Sequence, residues 1–144
     1  MALGGILSGV FVVAANAWMN SPAGFTLIAG RPADVSPLAA MANPAWKTEA
    51  IHMTLAAFAA SGFAVAGIHA FRLLREPGNR IHRVAIVIAL SVGGVAAVLQ
   101  PLSGDLSARV VARNQPAKLA ALEGQFRTQR GAPCLLYTSD AADE

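Results

Sequence analysis

The sequence predicts an all-α membrane protein, with three helices crossing the bilayer and a short amphipathic helix lying on its surface. Three observations predict it. The 144 residues are 55% hydrophobic and only 13% charged, about half the charged share of an average soluble domain. Three apolar runs approach or reach the length of about 17–20 residues that a helix needs to cross a bilayer. The segments between them are rich in turn formers and arginine. The alternative is a soluble bundle of buried helices, but such helices break their apolar runs with periodic polar residues.

The first helix is expected at about residues 2–19. Ala2 to Ala15 is apolar except for Ser8. A secretory signal has a similar core, and "VVAANA" could serve as its cleavage site. A signal normally carries Lys or Arg before its core, and none is present here. The preferred reading is a membrane helix cut off at its start, in a chain that is part of a longer protein. The second helix is expected at about 50–74. Met53 to Phe71 is interrupted only by Thr54, Ser61 and His69. The third is expected at about 83–102, because Val84 to Leu99 is polar only at Ser91.

The connections orient these spans. Residues 20–49 hold four prolines and two glycines and read as an ordered loop rather than a helix. Trp18 and Trp46 flank this loop, as aromatic rings do at the headgroup level. The second connection, "RLLREPGNRIHR", turns tightly at Pro77-Gly78-Asn79 and gives a helical hairpin. It carries Arg72, Arg75, Arg80 and Arg83, which places the 72–83 loop in the cytoplasm. The 20–49 loop and residues 103–133 are then outside, although five basic residues in the latter oppose this assignment.

The last eleven residues, "CLLYTSDAADE", share no chemistry with the rest. They resemble a sequencing-library adapter read through in frame, so residues 134–144 are expected not to be native. Removing their three acids, Asp140, Asp143 and Glu144, raises the net charge from +3 to +6. Cys134 is the only cysteine, so cysteine usage indicates no redox compartment.

An imidazole in hydrocarbon needs a partner. His52 and His69 lie about 25 Å apart along a helix and cannot share one metal. His69 sits near the arginine loop, where water and headgroups can satisfy it, and His82 within that loop is read the same way. His52 lies about one turn into its helix, above the small residues Ala56, Ala57, Ala60, Ser61 and Gly62. These leave room for a packed helix or a flat ligand. Two roles fit His52, axial ligation of heme iron or an interhelical hydrogen bond. Beyond residue 102, Asn114 can cap a helix begun by Pro116. Leu119, Leu122 and Phe126 would share its face on the membrane. Lys118 and Glu123 are five apart, a poor spacing for a helical ion pair. By themselves they read as solvated charges. Ser8 and Asn16 are eight apart, and helix–helix hydrogen bonding accounts for them.

Three stretches in order carry a resemblance: "VVAANAWMNSP", "NPAWKTEAIHMTLAAFAASGF" and "QPLSGDLSARVVARNQPAKLAALEGQFRT". Together they resemble subunit I of the cytochrome bd-type quinol oxidases over nearly all of residues 1–133. The match corresponds to roughly the fourth to sixth membrane helices of a larger helical bundle, with the start of the quinol-binding loop at 103–133. The resemblance implies that His52 is an axial ligand of the low-spin heme b, whose methionine ligand lies on a later helix. It implies that Lys118 and Glu123 bind and oxidise quinol, with Glu123 as base and Lys118 as hydrogen-bond donor. It also implies that Ser8 and Asn16 line a proton path. His69 matches no ligand.

The same resemblance implies a bacterial cytoplasmic-membrane enzyme with a second subunit. A high-spin heme b and a heme d would be held by helices outside this chain, so the fragment alone would not reduce oxygen. Quinol, the second subunit and the lipid bilayer are the expected partners, and nucleic acid is not. Two other classes compete. One is a diheme cytochrome b bundle, which wants histidine pairs at matching depths on two helices. The other is a transporter or assembly protein in which His52 only hydrogen-bonds.

Overall fold

The computed structural model of the chain describes residues 2–127. The expected adapter segment and the end of the expected quinol loop lie outside the described residues. Five helices and one small hairpin follow in order: α1 (Ala2–Asn20), β1 (Thr26–Ile28), β2 (Arg31–Ala33), α2 (Pro37–Met41), α3 (Trp46–Arg75), α4 (Arg80–Asn114) and α5 (Pro116–Leu122).

The 20–49 connection is ordered, as expected, but it is not free of helix. Its strands pair antiparallel with Thr26 opposite Ala33. Gly24, at φ +81°, allows the close approach of α2, because a Cβ there would lie 2.5 Å from the Ala40 nitrogen. The Ser36 hydroxyl caps α2 by accepting from the Ala39 N–H at 3.4 Å. Asn43 anchors the whole connection. It is 2% exposed, and its amide donates to the carbonyls of Ala14 on α1 and Ala40 on α2, at 3.0 and 3.1 Å. Its side-chain oxygen accepts from the Ala45 N–H, just where α3 begins.

The helix bounds correct the sequence reading at two places. α3 starts at Trp46, four residues before the expected 50, because the polar Lys47-Thr48-Glu49 forms its first turn rather than loop. Glu49 there meets the positive end of the helix dipole. α4 does not stop near 102. It runs 35 residues, through Pro101, to Asn114, so the first part of the expected 103–133 loop is helix. Pro101 removes one N–H and leaves the carbonyl four residues back without its usual donor, yet the helix continues around it.

α3 and α4 form the hairpin that holds the fold, and α1 packs on α3. Their crossing is built on glycine. A Cβ on Gly62 would come within 2.6 Å of the Gly93 Cα, so the two backbones touch there. Among the described residues the buried apolar ones are alanines and one valine, and no large side chain is fully buried. The large ones, among them Phe11, Ile51, Phe63, Val87 and Val98, point outward. α3 and α4 are each long and apolar enough to cross a membrane, and Leu3–Met19 is a shorter apolar helix.

α5 begins at Pro116 as expected, but its N-cap position is Gln115, not Asn114. The Gln115 amide instead donates to the Ser21 hydroxyl at 2.9 Å, tying the end of α4 to the end of α1. The helix closes at Leu122. Phe126 is therefore not on its face, and it is 92% exposed.

Candidate functional site

The hairpin has two ends. At the turn end, Asn79 caps α4 by accepting from the Ile81 N–H at 3.0 Å. At the loop end, α3 starts beside the outgoing half of α4. Each end holds a histidine contact between the two helices.

His52 is the seventh residue of α3, roughly 9 Å into the helix and so deeper than one turn. Its Nδ1 lies 2.9 Å from the Ser103 Oγ on α4. The Ser103 hydroxyl donates its single proton to the Gln100 carbonyl at 2.9 Å. With the hydroxyl proton on that carbonyl, which can only accept, the Ser103 oxygen accepts from the ring, and Nδ1–H with a lone pair on Nε2 is the tautomer assigned to this geometry. The Gln100 amide nitrogen lies 3.1 Å from Nε2 and 3.3 Å from Nδ1. An atom nearly equidistant from both nitrogens cannot lie in the ring plane at this range, because it would overlap Cε1. The amide therefore covers the face of the imidazole and also reaches the His52 carbonyl at 3.4 Å. Gly104 completes the wall, since a Cβ there would lie 3.5 Å from the His52 Cε1. Among the described residues, Nε2 has no partner in the ring plane.

α4 leads directly from Ser103 to Gln115 and α5. Lys118 on α5 and Glu123 just after it are both half-buried, and no ion pair joins them, as their spacing predicts. The Glu123 Oε2 is buried without a hydrogen-bond partner. The other buried side-chain atoms without one, among the described residues, are Gln100 Oε1, Ser107 Oγ and Gln115 Oε1. All four belong to residues 100–123, at the loop end. Ser8 and Asn16 are both exposed on α1.

His69 and His82 form a pair that the sequence did not reveal. Their Nδ1 atoms are 2.9 Å apart, with ring centroids at 5.1 Å, so one Nδ1 donates and the other accepts. His82 is not a loop residue. It sits in the first turn of α4, 9% exposed, with Nε2 3.7 Å from a Glu76 carboxylate oxygen. Both side chains thus find partners inside the chain rather than in water or headgroups.

The profile of the family described as "Cytochrome bd terminal oxidase subunit I" matches residues 1–144. The chain belongs to that family. It is 38% identical over 135 residues to a putative cytochrome bd menaquinol oxidase subunit I of Bacillus subtilis, covering 91% of this chain and 30% of the relative. Identity to the cytochrome bd-II ubiquinol oxidase subunit 1 of Escherichia coli is 33% over 132 residues, covering 90% and 26%. Among solved structures, the bd oxidase of Geobacillus thermodenitrificans matches with a TM-score of 0.79 at 36% identity, over 88% of this chain and 29% of that one. The chain thus spans under a third of the length of these relatives. Its all-α, membrane-type architecture is that of the cytochrome bd subunit I family.

The cytochrome bd family implies heme, and the residues at the loop end fit it. An axial histidine must commit its Nδ1 proton elsewhere and present the Nε2 lone pair. The Ser103 contact meets the first condition and the uncovered ring edge meets the second. The His69–His82 pair fits less well, because only one of the two rings can donate from Nδ1 and the His82 Nε2 already faces the Glu76 carboxylate. Sequence reasoning missed Gln100 and Ser103 because "QPLSGD" reads as the start of a loop. One signal could have found them. In a hairpin turned at Gly78, His52 stands 26 residues before the turn and Ser103 stands 25 after it.

Proposed function

We propose that this chain is the electron-entry portion of a quinol:oxygen oxidoreductase of the cytochrome bd type. The observation that carries the reading is the set of partnerless buried polar atoms along residues 100–123 at the loop end, where Ser103 holds the Nδ1 of His52. Buried polar atoms are normally satisfied, and a surplus in one place marks where a polar ligand binds.

His52 holds the low-spin heme b through Nε2. Bound there, the heme supplies a one-electron acceptor. Lys118 and Glu123 take the quinol. Quinol gives up its two electrons one at a time to that acceptor; the Glu123 carboxylate takes a proton with each and releases it to the water outside, and the Lys118 ammonium donates a hydrogen bond to a quinone oxygen. Ser8 and Asn16, exposed on α1, line a proton path toward the oxygen-reducing site. The high-spin heme b and heme d of that site are held by helices outside this chain. A second subunit completes the enzyme.

The protein lies in the bacterial cytoplasmic membrane. The arginines around the α3–α4 turn face the cytoplasm, and the 20–49 connection, α5 and the rest of residues 103–133 face outside. The names of the relatives, menaquinol oxidase in one case and ubiquinol oxidase in the other, support a quinol as the substrate.

The test is a reduced-minus-oxidised spectrum of the complete protein, together with quinol-driven oxygen consumption. A low-spin b signal reducible by quinol is expected. Absence of any heme signal would favour the transporter or assembly reading. Two bis-histidine hemes would favour the diheme bundle.

A further inference from the structure

We infer that Ser103 is a positioning residue that sets the tautomer and the donor strength of His52, with Gln100 holding the ring against rotation. The inference rests on the reading of His52 as a heme ligand and goes one residue further out.

Three observations lead to it. First, the Ser103 Oγ lies 2.9 Å from both the Gln100 carbonyl and Nδ1; the carbonyl can only accept, so the one hydroxyl proton is assigned to it and the ring donates from Nδ1. The ring is held as the Nδ1–H tautomer before any metal arrives. Second, Ser103 is buried, so water does not compete for that proton. Third, the Gln100 amide lies over the ring face and bonds the backbone of the same residue, which restricts rotation about the Cβ–Cγ bond.

The physical consequence lies in the strength of the ligand. An acceptor on Nδ1–H pushes electron density toward Nε2 and makes the imidazole a stronger donor. A stronger donor favours the ferric over the ferrous state and lowers the reduction potential. Ser103 therefore tunes how readily the low-spin heme takes an electron.

The experiment uses the complete oxidase carrying this sequence. Ser103→Ala removes the acceptor at almost constant shape, Ser103→Thr keeps the hydroxyl, and His52→Ala is the control. Redox titration followed at the low-spin b absorption is the readout. Ser103→Ala should raise the midpoint potential and weaken heme retention, by roughly 10–100-fold if it behaves as outer-shell partners usually do. Ser103→Thr should restore both, which a simple packing role would not predict. A wild-type potential in Ser103→Ala, or the same shift in Ser103→Thr, overturns the inference, provided His52→Ala has lost the low-spin signal. If His52→Ala keeps that signal, the ligand reading itself falls and takes this inference with it. Should Ser103→Ala fail to assemble, Ser103→Cys, a weaker acceptor of similar size, should show a smaller shift in the same direction. An unshifted potential there counts against the inference equally.

Discussion

The two ends of the α3–α4 hairpin use histidine in opposite ways. At the turn end, His69 and His82 spend their Nδ1 atoms on each other, and Glu76 stands beside the remaining His82 nitrogen. At the loop end, His52 is held from one side only. Ser103 fixes its Nδ1, Gln100 covers its face, and its Nε2 edge is left over. The partnerless buried oxygens show the same division, since all of those described lie between residues 100 and 123. A closed polar network stabilises a fold. An incomplete one has a cost, and a membrane protein sustains it where something else is to bind.

Breaking the loop end should give the largest effect. His52→Ala in the complete oxidase should abolish the low-spin b spectrum and stop quinol-driven reduction. His69→Ala should leave that spectrum intact, because it lies about 25 Å away along the helix. Loss of the signal in His69→Ala alone would exchange the roles of the two ends.

Next in size come the two charged residues beyond α4. Glu123→Gln and Lys118→Ala should each cut quinol oxidase turnover about tenfold or more, with normal heme spectra. Steady-state oxygen consumption measures this, and wild-type turnover in both would leave them as solvated charges. Between the ends, Gly62→Ala forces a methyl against the Gly93 backbone and should cost about 1–3 kcal/mol. Gly67→Ala meets nothing within 4 Å and should be neutral or slightly stabilising. Thermal unfolding of the solubilised complex compares the two. The smallest effect belongs to the turn end. His82→Ala leaves one imidazole nitrogen of His69 without its partner and should cost ~1 kcal/mol while sparing both turnover and spectra.

The same contrast marks what was legible in the sequence. The helices follow from apolar runs, and His52 stood out because an imidazole in such a run needs a reason. What escaped notice were contacts made only when the hairpin closes. His82 reads as a loop residue until Asn79 caps α4 and swings it inward. Ser103 lies just past Pro101, and proline usually ends a helix, so the stretch of α4 from Ser103 onward reads as connection. Asn43 and Gln115 bond to partners 29 and 94 residues away, and no local pattern announces such pairs. Helical spacing puts Phe126 on the face of α5, but the chain leaves the helix at Leu122 before reaching it.

The length of α4 carries a mechanical consequence. Its 35 residues make a rod of about 52 Å, against a hydrocarbon thickness of about 30 Å. Ser103, held against His52 on α3, is its fulcrum. From there to Asn114 the arm is about 16 Å long, with Lys118 and Glu123 mounted just past its tip. A tilt of about 3.5° at the fulcrum sweeps that tip through about 1 Å, enough to cost a misaligned reaction about a hundredfold. The hydrogen bond from Gln115 to Ser21 acts as a stay on this lever, fastening its moving end to the neighbouring helix.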